Sequence, residues 1–407
     1  MRRRDPIRRH ALLLLALAAL STTVRAQTLA DTVVPLPAPR GADVVGTAVI
    51  PLVDSSRRDA DLPDGRPIMV QLWYPAARAR GSIAPYLFDR GLGAELIRWQ
   101  YYGLDTATLA RWSTLHTHAI VDAPVAPGRH PLVTLSVGLG VIRANYTSIA
   151  EALASHGVIV MLVESPLAGF IVLPEGRVVQ DTTSRLQEAA NHRAAVTSWA
   201  RDVVFALDWL QSARGAGAMA SVARAVDWTR IGAMGHSSGG LVAVQACERD
   251  ARIRACVDMD GGMATPTGEP MADFVRTGTT KPTLLLRSEP VYSDADFARR
   301  GMTRAQWEQR GKAGHAAIDS VVARAHAPFW VASVRGTGHF SFTDAPFVMP
   351  TTITRFGGRI IAPERGLDAI DETLRAFFDE AWGTRPGALA AVTRSFPELT
   401  ISSAPHR

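Results

Sequence analysis

Apolar residues in this chain gather into short Val/Ile/Leu runs separated by longer segments of helical period, and that alternation predicts an α/β protein. Val44–Ile50 and Ile68–Trp73 read as two strands joined by the polar, Asp/Gly-rich stretch Asp54–Arg66, an antiparallel start. Beyond them, strands are predicted at Leu132–Ser136, Val158–Val163, Arg230–Met234, Ala255–Met259, Thr283–Arg287 and Phe329–Val334. Helices are predicted at Arg143–His156, at Ser184–Ser212, through Leu241–Cys247, and at Gly366–Trp382. Continuous aliphatic runs between helices imply a mostly parallel central sheet with helices on both faces. Three stretches, Ala84–Ala123, Leu167–Thr183 and Pro290–Ala327, are longer than such connections need and are expected to shape a pocket near strand C-termini. The first carries the aromatic-rich segment Ile97–Tyr102 on an expected helix. Residues 386–407, of mixed composition, read as a surface tail.

Composition narrows the class. With 407 residues, 47% hydrophobic and 20% charged, the chain is long enough to bury a sizeable core. The N-terminus has the form of a signal peptide over residues 1–26: basic Arg2, Arg3, Arg4, Arg8 and Arg9, apolar Ala11–Leu20, and small residues up to Ala26. That apolar run is too short to span a bilayer comfortably. Export to the periplasm or out of the cell is therefore expected. The segment holds six arginines against one aspartate, hence five of the six formal positive charges, and the remainder is nearly neutral. With only Lys281 and Lys312 as lysines, no nucleic-acid partner is expected. In an exported protein Cys247 and Cys256 either pair or remain two buried thiols. His116 and His118, the one close histidine pair, sit at strand period and are expected to face solvent; no metal is expected.

The candidate chemistry begins at Gly235-His236-Ser237-Ser238-Gly239, which follows the apolar run Arg230–Met234 and leads into an Ala/Leu-rich helix. A serine on a sharp strand-to-helix turn projects its hydroxyl above the sheet, and small residues two positions either side let the backbone turn that tightly. Ser237 is the candidate nucleophile. Of eleven histidines, His339 has the right place for its base: a glycine-rich loop, Gly336-Thr337-Gly338, after a late strand. The acid is Asp260, just past the end of strand Ala255–Met259, with Glu289 as the alternative and Asp258 a third possibility. An acyl-transfer site also needs amide donors for the oxyanion, and these are expected at Ser238 and at Leu139 in Gly138-Leu139-Gly140.

These segments, together with Pro131–Arg143, Tyr146, Leu153–Val160, Met69–Pro75 and the pattern Gly336, His339, Phe342, Asp344, resemble the plasma-type platelet-activating factor acetylhydrolases and their bacterial relatives. The resemblance runs from about Val44 to Trp382 and implies an α/β-hydrolase domain over 27–385. It also favours Asp260 over Glu289. It further implies calcium-independent hydrolysis of short or oxidised acyl esters, with no cofactor. Two departures stand out: Val137 replaces the family's usual loop histidine, and Ser238 an aromatic that is common after the nucleophile. A small-molecule ester or short-acyl phospholipid is the expected substrate, with a transient lipid contact through Trp99–Tyr102. A broad carboxylesterase or polyester hydrolase is equally compatible, and a non-catalytic hydrolase-fold binding protein is the alternative of another class.

Overall fold

Eleven of the predicted and unpredicted strands join one sheet. The structure, a computed structural model, describes residues 31–58, 62–78, 80–89, 91–166, 170–180, 189–213, 219–354 and 361–403. The signal-peptide reading of residues 1–26 lies outside them. In chain order the strands are β1 (Val44–Asp54), β2 (Arg66–Ala76), β3 (Ile83–Pro85), β4 (His116–Val121), β5 (His130–Ser136), β6 (Ile159–Glu164), β7 (Phe170–Val172), β8 (Val178–Gln180), β9 (Val226–His236), β10 (Ile253–Met259), β11 (Thr283–Glu289), β12 (Phe329–Arg335) and β13 (Leu399–Ser403). The large sheet runs β13-β12-β11-β10-β9-β5-β6-β2-β1-β4-β3, and β7 and β8 form a separate hairpin.

The six central strands from β12 to β6 are mutually parallel, and β2 and β13 flank them antiparallel. All six residues of β6, an almost wholly apolar run, and all eleven of β2 are buried, as strands covered on both faces must be, with Arg66 and Gln71 of β2 held by Asp202 and Thr47. The helix Ser238–Arg249 is buried along most of its length, because Gly239, Gly240, Ala243 and Ala246 let it lie close on β9 and β10. Parallel pairing brings the C-terminal ends of β5, β9, β10 and β12 to one rim of the sheet, where sites of such sheets form.

Several elements differ from the sequence reading. Residues 388–403, read as tail, form the helix Ala388–Ser395 and the edge strand β13, which pairs with β12 from Trp330↔Ser403 to Val334↔Leu399. Ile97–Tyr102 is not one helix: the helix Leu92–Arg98 ends, and Gln100 and Tyr102 take positive φ of 49° and 50°. The turn sends Tyr101 into the core, where its hydroxyl reaches Asn145, and packs Tyr102 edge-on against Phe340. Cys247 and Cys256 are two free, buried thiols. His116 and His118 do face outward, on either side of buried Thr117, and His118 meets Glu151.

A buried ion cluster braces the loop that follows β5. Arg143, 3% exposed, donates from its backbone and guanidinium to Glu164 at 2.7 Å each, to Gln71 at 2.9 Å, and to Asp89. Burial pushes Glu164 up to about 7 even beside this partner. Arg143→Ala would strand that carboxylate without a counter-charge, so urea unfolding is expected to show a loss of about 3–5 kcal/mol.

Candidate active site

Ser237 closes β9 and caps the helix Ser238–Arg249 with φ 57° and ψ −127°, a strained conformation for a residue with a Cβ. The flanking glycines explain how the chain reaches it. A Cβ on Gly235 would stand 2.0 Å from the Gly239 carbonyl oxygen, and one on Gly239 would stand 2.2 Å from that of Ser136. The turn is held from the neighbouring strand by Ser237 N–H donating to the Met259 carbonyl at 2.8 Å.

Three predicted side chains meet here. His339 Nε2 lies 3.1 Å from Ser237 Oγ, and its Nδ1 lies 2.7 Å from Asp260 Oδ2. Since a carboxylate only accepts, Nδ1 carries the proton and Nε2 is left to accept from the serine. Asp260, also at positive φ (60°), accepts from Ser288 N–H at 3.0 Å and from Ser288 Oγ at 2.9 Å. Burial alone would raise its carboxyl. The Arg287 guanidinium, with Nε at 3.7 Å, and the His339 and Ser288 hydrogen bonds override that and hold it well below the usual range.

The other two carboxylates point elsewhere. Glu289 accepts from Ser333 Oγ at 2.6 Å, across β11 and β12. Asp258, fully buried, accepts from Gly261 N–H at 2.6 Å and is raised by burial to about 6. The Gly138–Gly140 loop abuts the serine, a Cβ on Gly138 lying 3.2 Å from Ser237 Cβ, and Leu139 is exposed at its tip. Ser238 starts its helix, so its amide lies at the positive end of the helix dipole.

Contacts that sequence spacing does not announce frame the site. Tyr146 hydroxyl accepts from Gly138 N–H at 2.8 Å and donates to His236 Nδ1 at 3.0 Å, while His236 Nε2–H donates to the His339 carbonyl at 2.8 Å. Burial, reinforced by the neighbouring His339 ring, pushes His236 down to about 3, so it stays neutral and keeps this one-proton pattern. The strut joins the donor loop to the histidine loop. Tyr146→Phe leaves a buried amide unpaired, a cost of about 1–3 kcal/mol, and kcat is expected to fall about tenfold with KM little changed in steady-state kinetics. Beneath His339, Asp344 accepts from Thr147 N–H and Ser148 N–H at 3.1 and 3.0 Å, capping the helix Thr147–Ser155, and its own amide donates to the Asn145 carbonyl. His192 Nε2 accepts from Ser238 Oγ at 3.0 Å and its Nδ1 donates to the Met271 carbonyl. A lone histidine near the start of the helix Ala189–Ser212 carries no signal of this; only the substitution at Ser238 hinted at a changed neighbour.

The sequence model of platelet-activating factor acetylhydrolase, isoform II, matches residues 63–166 and 208–385, more than half of the chain. The chain belongs to this family. Platelet-activating factor acetylhydrolases of Canis lupus familiaris and Cavia porcellus are 25% and 23% identical over 242 and 269 residues, covering 54% and 59% of this chain. The chain spans about half the length of these two relatives, 51% and 55%. That of Gallus gallus is 24% identical over 343 residues, 76% of this chain and 73% of the relative. Among solved structures, a ferulic acid esterase from Streptomyces cinnamoneus is 28% identical with a TM-score of 0.70, covering 91% of this chain and 99% of its own. The family and this neighbour agree with the α/β-hydrolase fold that the resemblance implies, and the mostly parallel sheet is consistent with it.

Proposed function

We propose that the chain is a carboxylic ester hydrolase acting through Ser237, His339 and Asp260. The observation that carries the reading is the hydrogen-bonded sequence Ser237 Oγ, His339 Nε2, His339 Nδ1, Asp260 Oδ2, at 3.1 and 2.7 Å. His339 Nε2 takes the serine proton as Oγ adds to the ester carbonyl, and the carbonyl π pair moves onto oxygen. The Leu139 and Ser238 amides hold that oxyanion. Collapse expels the alcohol, which takes the proton back from His339, and leaves an acyl-serine. Water, deprotonated by the same nitrogen, repeats the addition and frees the acid. Asp260 keeps the imidazole in its Nδ1–H form and stabilises the cation formed in each step. None of these steps calls on calcium, so added Ca²⁺ is expected to leave the rate of hydrolysis unchanged.

Family membership supports short or oxidised acyl esters, including short-acyl phospholipid, as substrates. A second reading, a carboxylesterase of wider scope reaching aromatic-acid esters, is favoured by the polar Ser238–His192 pair beside the nucleophile and by the ferulic acid esterase neighbour. Export through residues 1–26, a lipid contact at Trp99, and activity on polyester belong to the proposal. Labelling with a fluorophosphonate probe, followed by peptide mapping, tests the core of it: the label is expected on Ser237. Folded protein that takes no label would instead be a non-catalytic member of the fold. Rates on dispersed short-acyl phospholipid, p-nitrophenyl butyrate, a feruloyl ester and polyester film then separate the substrate readings.

A further inference from the structure

A second cluster of chemistry lies where the C-terminus of the helix Thr147–Ser155 meets the helix Pro363–Ala381. His156 caps the first helix, and Asp371 and Glu372 come from the second. One donor atom from each of the three lies within 4.8 Å of the others. They line a cavity of about 360 Å³ to which none of Ser237, Asp260 or His339 contributes. Asp371 is 7% exposed, and its buried Oδ1 has no hydrogen-bond partner. A carboxylate oxygen so placed is costly unless a cation or proton meets it.

The surrounding charge favours a divalent ion. Glu364, Asp368, Asp371 and Glu372 all line the cavity, while Arg40 pairs with Asp368 at 2.7 Å and Arg375 with Glu372 Oε1 at 2.7 Å, offsetting two of the four. Arg365, the next cation along the helix, is paired with Glu398. With all four ionised, two negative charges would be left over for a cation to meet, and Glu372 Oε2 remains for a ligand. The carbonyl end of the Thr147–Ser155 helix adds partial negative charge at the same place. One imidazole with two carboxylates is a donor set that suits zinc better than calcium or magnesium, which take oxygen alone.

We propose that His156, Asp371 and Glu372 form a structural Zn²⁺ site with water in the fourth position. At zinc bond lengths of about 2.1 Å the donors draw in to separations of about 3.4 Å, a rotamer adjustment of about an ångström. The bound ion clamps the two helices together. The Pro363–Ala381 helix follows Ile361, whose amide donates to the Gly336 carbonyl at 2.8 Å, so the clamp also steadies the base of the His339 loop. The 215-residue separation of His156 and Asp371 explains why no motif announces the site.

The test is equilibrium dialysis of the EDTA-stripped chain against Zn²⁺, with thermal unfolding alongside. One equivalent is expected to bind, and at a hundredfold excess over the dissociation constant Tm rises by about 3 °C. His156→Ala and Asp371→Asn are expected to weaken that binding at least tenfold. Glu372→Gln, at the more exposed ligand, does the same in a chain that keeps its fold even if the buried variants do not. Ser237→Ala, outside the cavity, binds zinc as before. No stoichiometric binding, or binding that survives Glu372→Gln and His156→Ala, overturns the proposal. Calcium giving the same Tm shift, insensitive to His156→Ala, overturns it as well.

Discussion

Replacing Ser237 by alanine is expected to lower kcat on p-nitrophenyl butyrate by about 10⁴- to 10⁶-fold while leaving substrate binding and the fold in place. The size follows from what is lost: without Oγ no acyl-enzyme forms, and only the amide donors and the bound geometry still favour attack by water. Ser237→Gly is expected to lose the same activity but to gain stability. Its backbone sits at φ 57° and ψ −127°, where a Cβ is strained and glycine is not. A gain of about 1 kcal/mol in urea unfolding is the expected reading, offset in part by the freer unfolded chain. A Ser237→Ala protein that kept full activity would move the nucleophile elsewhere.

Asp260→Asn is the second large effect, a fall in kcat of about 10⁴-fold. The reason lies in the partners of the carboxylate. Ser288 N–H needs an acceptor, so the amide oxygen of the asparagine turns to it and the NH₂ group faces His339 Nδ1. Nδ1 must then be the acceptor, the proton sits on Nε2, and the ring can no longer take one from Ser237 3.1 Å away. Glu289→Gln changes a group tied to Ser333 and is expected to leave the rate within twofold. Parallel kcat measurements on the two variants decide between the carboxylates.

The strands that mattered most were legible because burial on both faces forces a continuous aliphatic run, and β5, β6, β9 and β10 each carry one. The elbow could be read for a steric reason: Gly235 and Gly239 stand where any side chain would collide with a carbonyl. What stayed hidden depends on contacts made across long stretches of chain. His192 reaches Ser238 over 46 residues, and Tyr146 reaches His236 over 90. Tyr146 could be quoted as part of a family pattern, yet its hydroxyl's two partners come only from the fold. Strand β13 escaped because only Leu399 of its five residues is buried, and so short an edge strand carries little apolar signature. The helix expected through Tyr102 failed for a tertiary reason: Tyr101 gains a buried hydrogen bond to Asn145 only if the backbone kinks before it.

Asp344 carries a dynamic consequence. By accepting from the first two amides of the Thr147–Ser155 helix, it hangs the histidine loop on the same mount from which the Gly138–Gly140 loop departs. A movement of that helix against the sheet would therefore shift His339 and the Leu139 amide together relative to Ser237 and the Ser238 amide, which rest on β9 and the helix that follows it. Asp344 thus makes the seating of one helix a condition for the proposed alignment of base and nucleophile.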